Sequence, residues 1–421
     1  MPVTRRGLFG LVRGGGPPLI AELIAARGSE AAQAGDFGQA FQGGRGGGQG
    51  RMGGQGRGGG QGGRGGRPEP PPGVTPIRIS SNENPLGPGK AVLDTIVGKF
   101  PEAGRYPFNS TPNEGKLVET IAGLNKAKPE NVVLGAGSQE ILKSAIRAFT
   151  SPFRPLVTAA PTFENPGSTA RRMGHPVYEV KVDSQFRLNL EEMLTVVRGA
   201  GLVFLNNPNN PTATIHTAKT IQTFVERVKR ISPDTVILID EAYHEYVTSP
   251  DYQTAIPLAL STPNVFVVRT FSKAYGMAGM RIGYAVGEAD TIKPLARLKM
   301  PYNISVFGVA AAIAALNDPQ HLAQERARNT QVRDFTVKTL AELGCKTAPS
   351  ECNFIFVDIG RPARVFRDGC ADQWVNVGRD FPPFEHSHAR ISLGTMEEMK
   401  RATTVFREVL RPVVAAGGGG R

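Results

Sequence analysis

NVFVVRTFSKAYGMAGMRIGY, residues 264–284, is the stretch whose reading decides the fold. It opens on Val265-Phe266-Val267-Val268, an apolar β-branched run with the length and composition of a buried strand. The run closes on Arg269-Thr270-Phe271-Ser272-Lys273, and Gly276, Gly279 and Gly283 interrupt the residues after it. Open α/β sheets bind ligands beyond the carboxyl ends of their strands, and the pattern puts Lys273 there. Thr270 and Ser272 add hydroxyls, and Arg281 adds a cation eight residues on. Hydroxyls with a guanidinium suit a phosphate, and a partly desolvated lysine suits Schiff-base chemistry. Taken alone, a Ser-Lys after a strand is also compatible with an ordinary surface lysine.

Working outward, other apolar runs end in the same way. Residues 235–239 form the clearest buried strand and run into Asp240-Glu241-Ala242-Tyr243. An acid directly after five apolar residues is either a helix N-cap or a functional group. Residues 201–205 end in Asn206-Asn207-Pro208-Asn209-Asn210-Pro211-Thr212, polar amides stiffened by prolines. Residues 131–134 read as a strand, and Gly135-Ala136-Gly137-Ser138-Gln139-Glu140 then opens a helix. A glycine turn feeding a helix N-terminus offers free N–H groups and the positive end of the dipole to a phosphate. Residues 156–158 lead to Pro161-Thr162-Phe163, whose ring could be plain core.

Upstream, residues 79–88 form a polar turn-rich segment before a helix near 89–98, and Arg105-Tyr106-Pro107 reads locally as a turn. Downstream, residues 291–343 are mostly helical, broken near Met300-Pro301. Residues 353–357 and 389–395 read as strands of a smaller C-terminal domain, with Arg390 in the second. Strands alternating with helices match a doubly wound α/β architecture.

At 421 residues the chain has room for two domains and a sizeable core. No apolar run approaches the roughly eighteen residues of a membrane span. The net charge is +12, of which the nine arginines and four acids of residues 1–73 supply +5. That balance suits anionic ligands or simple solubility. Cys345, Cys352 and Cys370 show no CxxC pairing, so neither a disulfide framework nor a zinc site is expected. His386 and His388 form an HxH pair without further ligands; they read as loop residues, and no metal is expected.

The segment SKAYGMAGMRIGY resembles the lysine segment of the fold-type I pyridoxal-phosphate (PLP) aminotransferases, within these the histidinol-phosphate aminotransferase branch. The resemblance spans about residues 76–412 and rests on five separated motifs. They include the NENPxGP arm at Asn82–Pro88, the Asn-Pro-Thr at 210–212, Asp-x-x-Tyr at 240–243, Ser272-Lys273 and the RIxxGT at 390–395. It implies a mostly parallel doubly wound sheet in a large domain plus a smaller α+β domain. Lys273 would hold PLP as a Schiff base and move the substrate α-proton. Asp240 would face the ring nitrogen, Asn210 and Tyr243 the ring oxygen, and Phe163 would stack on the ring. Ser138, Gln139, Thr270, Ser272 and Arg281 would hold the phosphate. Gln139 stands where the family often has an acid, and Ala213 replaces the usual glycine after the threonine. Tyr106 would reach the phosphate of the other subunit of a homodimer. Among substrate contacts, Arg390 would clamp an α-carboxylate, Arg379 would read the distal group, and Asn84 of the arm would contribute.

The activity implied is ping-pong transfer of an amino group from an amino acid, or from histidinol phosphate, to a 2-oxo acid. A lyase or decarboxylase on the same scaffold is the first alternative. The second is an RNA-binding or tethering protein working through residues 43–67, a Gly/Arg/Gln tract that lacks aromatic residues to stack on bases. Nucleic acid is therefore not the expected partner. The expected organisation is a twin-arginine export leader over 1–34, from Arg5-Arg6 and Ala32-Gln33-Ala34, then a disordered Gly/Arg-rich linker over 35–75. An arm with part of the small domain follows over 76–115, the PLP-binding domain over 116–310, the C-terminal small domain over 311–412 and a flexible tail over 413–421. Without the leader's export the chain would be cytoplasmic.

Overall fold

The structure, a computed structural model, describes residues 69–411, so the leader, most of the Gly/Arg-rich linker and the tail lie outside the described residues. The first strand, β1 (Ile77–Ile79), lies apart from the main sheet. That sheet comprises β2 (Val132–Gly135), β3 (Leu156–Ala160), β4 (Val177–Lys181), β5 (Leu202–Asn206), β6 (Val236–Asp240), β7 (Val265–Thr270) and β8 (Gly283–Gly287). Their order is β2-β8-β7-β6-β5-β3-β4, and only β8 runs antiparallel to its neighbours.

Alternate side chains of each central strand enter different cores. Val203, Leu205, Ile237, Ile239, Val265 and Val267 pack on one face, while Leu202, Phe204, Val236, Leu238, Phe266 and Val268 pack on the other. A strand buried on both faces must be apolar at every position, which is why these strands read as continuous runs. The helices α1 (Lys90–Gly98), α2 (Glu114–Leu124), α3 (Ser138–Phe149) and α4 (Asn165–Arg172) open the set that covers the sheet. Helix α3 buries Ile141, Leu142, Ala145 and Ile146, the i, i+4 stripe facing the sheet. Each such aliphatic side chain contributes about 1.5–3 kcal/mol by leaving water.

The small domain holds β9 (Lys346–Thr347), β10 (Phe354–Asp358), β11 (Val375–Val377) and β12 (His388–Ser392). Strands β12, β10 and β9 form an antiparallel sheet, and β1 pairs in parallel with β11. Their common core contains Ile77, Ile79, Ile355, Val357, Phe366 and Phe406.

Of the segment 76–115, Ile77 and Ile79 join the small core and Val92 of α1 packs into the large one. Two expectations need correcting. The boundary at 311 would cut the helix Val306–Leu316, whose Val309, Ala311, Ala312 and Ala315 belong to the large core. The small domain therefore begins within or after the next helix, Pro319–Glu342, whose Val332 and Leu340 enter the small core. His388 is no loop residue: it is buried in β12 and stacks on Phe356 with ring centroids 5.0 Å apart. No helix of the described residues is long and apolar enough to cross a membrane, and among them no group of three His, Cys, Asp or Glu is placed to hold a metal.

Candidate active site

The carboxyl ends of β3, β5, β6 and β7 lie side by side. Asn206 and Asp240 are register partners at the ends of β5 and β6, and Lys273 comes just after the adjacent β7. The space beyond them is a cavity of about 450 Å³, within the range of small-molecule sites. Twelve of the fourteen expected site residues line it: Ser138, Gln139, Phe163, Asn210, Asp240, Tyr243, Thr270, Ser272, Lys273, Arg281, Arg379 and Arg390.

At one end Ser138 and Gln139 begin α3, so the helix presents its unbonded N–H groups and positive dipole end to the cavity. Opposite them, Thr270 Oγ1 donates to Ser272 Oγ at 3.0 Å, and Arg281 Nη1 donates to Ser272 Oγ at 3.3 Å. Two glycines make this approach possible. Gly137 has φ +74°, and a Cβ on it would lie 2.2 Å from Arg281 Nη2. A Cβ on Gly283 of β8 would lie 2.4 Å from the Ser138 backbone nitrogen. The result is a cradle of hydroxyls, a guanidinium and a helix N-terminus, suited to a phosphate.

Across the floor, Asp240 is fully buried and accepts from the Ala242 N–H at 3.1 Å. Burial raises its carboxyl to about 7, and the adjacent Glu241 adds to this while Lys273 opposes it. Lys273 Nζ donates to Ser81 O at 3.2 Å. Burial, and then the Arg390 charge, lower its amine to about 8. Glu241 holds this floor from behind, since Arg269 Nε and Nη2 donate to its carboxylate at 3.0 and 2.8 Å and the Ala255 N–H at 2.6 Å.

Two loops carry the flat walls. Thr162 Oγ1 donates to Asn209 Oδ1 at 2.7 Å and Asn209 Nδ2 to Pro161 O at 3.1 Å, which ties the Phe163 loop to the Asn210 loop. Asn210 takes its backbone direction from Asn206, whose Oδ1 accepts the Asn210 N–H at 2.9 Å. Tyr243 is buried, which pushes its hydroxyl well above the usual phenol range, and it accepts from Asn82 Nδ2 at 3.1 Å. Arg390 donates through Nη1 to Asn210 Oδ1 at 2.9 Å and through Nη2 to Ser80 O at 2.5 Å. Its Nε is buried without a protein partner, and burial lowers the guanidinium to about 10. At the mouth, the half-exposed Arg379 is ion-paired with Glu164.

Asn84 and Tyr106 do not line the cavity. Asn84 spends its amide locally, donating to Ala274 O at 3.0 Å and accepting from the Leu86 N–H at 2.9 Å. It fixes the backbone beside Lys273. Tyr106 is 66% exposed and stacks with Phe108 and Tyr302 on the surface. Ser81, Asn82, Glu83, Glu164, Asn206, Ala242 and Ala278 complete the lining and were not singled out in sequence. Asn82 had a signal, a polar residue inside a proline-bounded arm, and it adopts φ +55°, a region asparagine tolerates. Glu164 had none.

The residues fit pyridoxal phosphate. A cradle that a Cβ on Gly137 would fill and a buried, unpartnered Arg390 Nε flank the floor where Lys273 and Asp240 open on neighbouring strands. Fold and site together thus define a PLP-dependent enzyme of fold type I. The family model for aminotransferase class I and II matches residues 74–406, and the chain belongs to that family. It is 34% identical over 337 residues to the histidinol-phosphate aminotransferase of Moorella thermoacetica, covering 79% of this chain and 85% of the relative. To that of Anaeromyxobacter sp. it is 34% identical over 340 residues, covering 79% and 90%. The crystal structure of histidinol-phosphate aminotransferase from Sinorhizobium meliloti in complex with pyridoxal-5'-phosphate superposes with a TM-score of 0.74 at 29% identity, covering 80% of this chain and 90% of that one. The chain is a PLP-dependent aminotransferase, similar to the histidinol-phosphate branch.

Proposed function

We propose that this aminotransferase moves an amino group from an amino acid to a 2-oxo acid in two half-reactions at one site, with Lys273, Asp240 and Arg390 as its central groups. The observation that carries this reading is that one cavity is lined by Lys273, Asp240 and Arg390 together. When bound, PLP supplies an aldehyde that receives the amino group and a ring that draws electron density from the α-carbon. Lys273, lowered to about 8, has a fraction of neutral amine near neutral pH, so it can act as nucleophile and then take and return the α-proton. Asp240 is buried beside the floor and would be held ionised by a protonated ring nitrogen. Tyr243 and Asn210 would hold the ring oxygen. Arg390 would hold the α-carboxylate through its fork, and Ser138, Thr270, Ser272 and Arg281 the phosphate.

The discriminating experiment mixes the PLP-loaded enzyme with an amino acid donor and measures 2-oxo acid against carbon dioxide. Stoichiometric 2-oxo acid without carbon dioxide supports transamination. Released carbon dioxide, or elimination product, would favour the lyase alternative.

A homodimer belongs to the same proposal. Tyr106, Phe108 and Tyr302 stack at ring separations of 5.3–6.1 Å, yet each is more than half exposed, and Phe100 and Met300 are exposed as well. Stacked rings left in water suit coverage by a second copy. Sedimentation of the wild type as a dimer and of Tyr302→Glu as a monomer would support it. Export through Arg5-Arg6 remains a proposal read from the sequence; cell fractionation of the wild type and an Arg5→Lys/Arg6→Lys variant tests it.

A further inference from the structure

Two charges at the cavity mouth stand outside the roles proposed above. Glu164 directly follows Phe163 and precedes α4, whereas Arg379 lies beyond β11 in the small domain. They are 215 positions apart in the chain and form an ion pair. Arg379 Nη1 also donates to Asp380 O at 3.2 Å, and its guanidinium lies 4.4 Å from the centre of the Phe381 ring. Arg390 lies 4.8 Å from the same ring.

An arginine that reads an anionic substrate end needs an uncompensated charge. Here Nη2 is engaged by the Glu164 carboxylate and Nη1 by a backbone carbonyl, so the mouth has no net charge from this pair. An anionic side chain that reaches Arg379 lies beside the Glu164 carboxylate, which is a repulsive contact. An uncharged side chain meets no such penalty. We infer that Glu164 is a specificity-determining residue that selects amino donors with uncharged side chains and disfavours phosphate monoesters. This inference rests on the transaminase reading.

The test compares the PLP-loaded wild type and Glu164→Gln with phenylalanine and with O-phosphoserine as donors, which share the α-carboxylate and differ in side-chain charge. The wild type should favour phenylalanine in kcat/KM. Glu164→Gln should raise the O-phosphoserine to phenylalanine ratio about three- to fivefold, the scale of one partly exposed charge contact. Binding provides a second readout without turnover: dissociation constants of 3-phosphonopropionate and 3-phenylpropionate, which share a carboxylate and differ at the far end. Their ratio should move in the same direction. A wild type that favours O-phosphoserine, or ratios within twofold between the two proteins, overturns the role of Glu164. Absence of 2-oxo acid from every donor would instead overturn the transaminase reading, and the analogue ratios would still judge Glu164.

Discussion

Replacing Asp240 by Asn should stabilise the cofactor-stripped protein while disabling the enzyme. Asp240 is 2% exposed, and its carboxyl is raised from 3.8 to about 7 chiefly by burial. A group whose folded value lies above its unfolded one binds its proton more tightly when folded. Its stabilising contribution is complete below pH 3.8 and is lost as pH rises through about 7. The separation is worth about 4 kcal/mol, at about 1.4 kcal/mol for each tenfold in proton affinity. Asn cannot ionise, but its carbonyl can still accept from the Ala242 N–H. Stripped Asp240→Asn should therefore match the wild type near pH 4, gain on it through pH 7 and exceed it by about 2–4 kcal/mol at pH 8. For a domain of this size that corresponds to about 3–6 °C in Tm. Urea unfolding of both proteins from pH 4 to 9 measures it. Equal stability at pH 8, or a difference that does not grow with pH, would refute the burial reasoning. Loaded with PLP the order should reverse, because Asn supplies no charge to the ring nitrogen.

Three further perturbations probe the same geometry. Arg390→Lys keeps a cation but loses the fork that reaches Asn210 and Ser80; kcat/KM for both amino acid and 2-oxo acid should fall about 10–100-fold in steady-state assays. Asn84→Ala strands the Ala274 carbonyl and the Leu86 N–H, and should lower stability by about 1–3 kcal/mol in urea unfolding. Gly283→Ala drives a methyl against the backbone at Ser138. It should destabilise by about 1–3 kcal/mol and weaken PLP binding, as measured by equilibrium dialysis.

Much of the site was legible because its strands are apolar at every position and its functional groups fall where those runs stop. Asn210, Asp240 and Lys273 announce themselves as polar residues at the ends of β5, β6 and β7. Strand β8 was hidden because glycines bound it, Gly283 for close packing against the start of α3 and Gly287 for close packing on β7, rather than for a turn. Strand β4 was hidden because it is a largely exposed edge, without an apolar run. The three residues of β1 depend on a partner strand near the other end of the chain, Val375–Val377, which no local pattern reveals. The arm after β1 shows why Asn82 lines the cavity and Asn84 does not. Both are buried asparagines in one polar run, and only the tertiary fold decides which amide meets Tyr243 and which meets the lysine loop. Glu164 acquires meaning only when the small domain brings Arg379 to it.

The claim that the amine at position 273 carries the cofactor is tested most directly by covalent trapping. Borohydride reduction of the PLP-loaded protein, then peptide mass spectrometry, should find the added mass on the peptide containing Lys273 and none on the Lys273→Ala variant, which should also lack turnover. Cofactor fixed on a different lysine, or a Lys273→Ala protein that still turns over at the wild-type rate, would contradict the account.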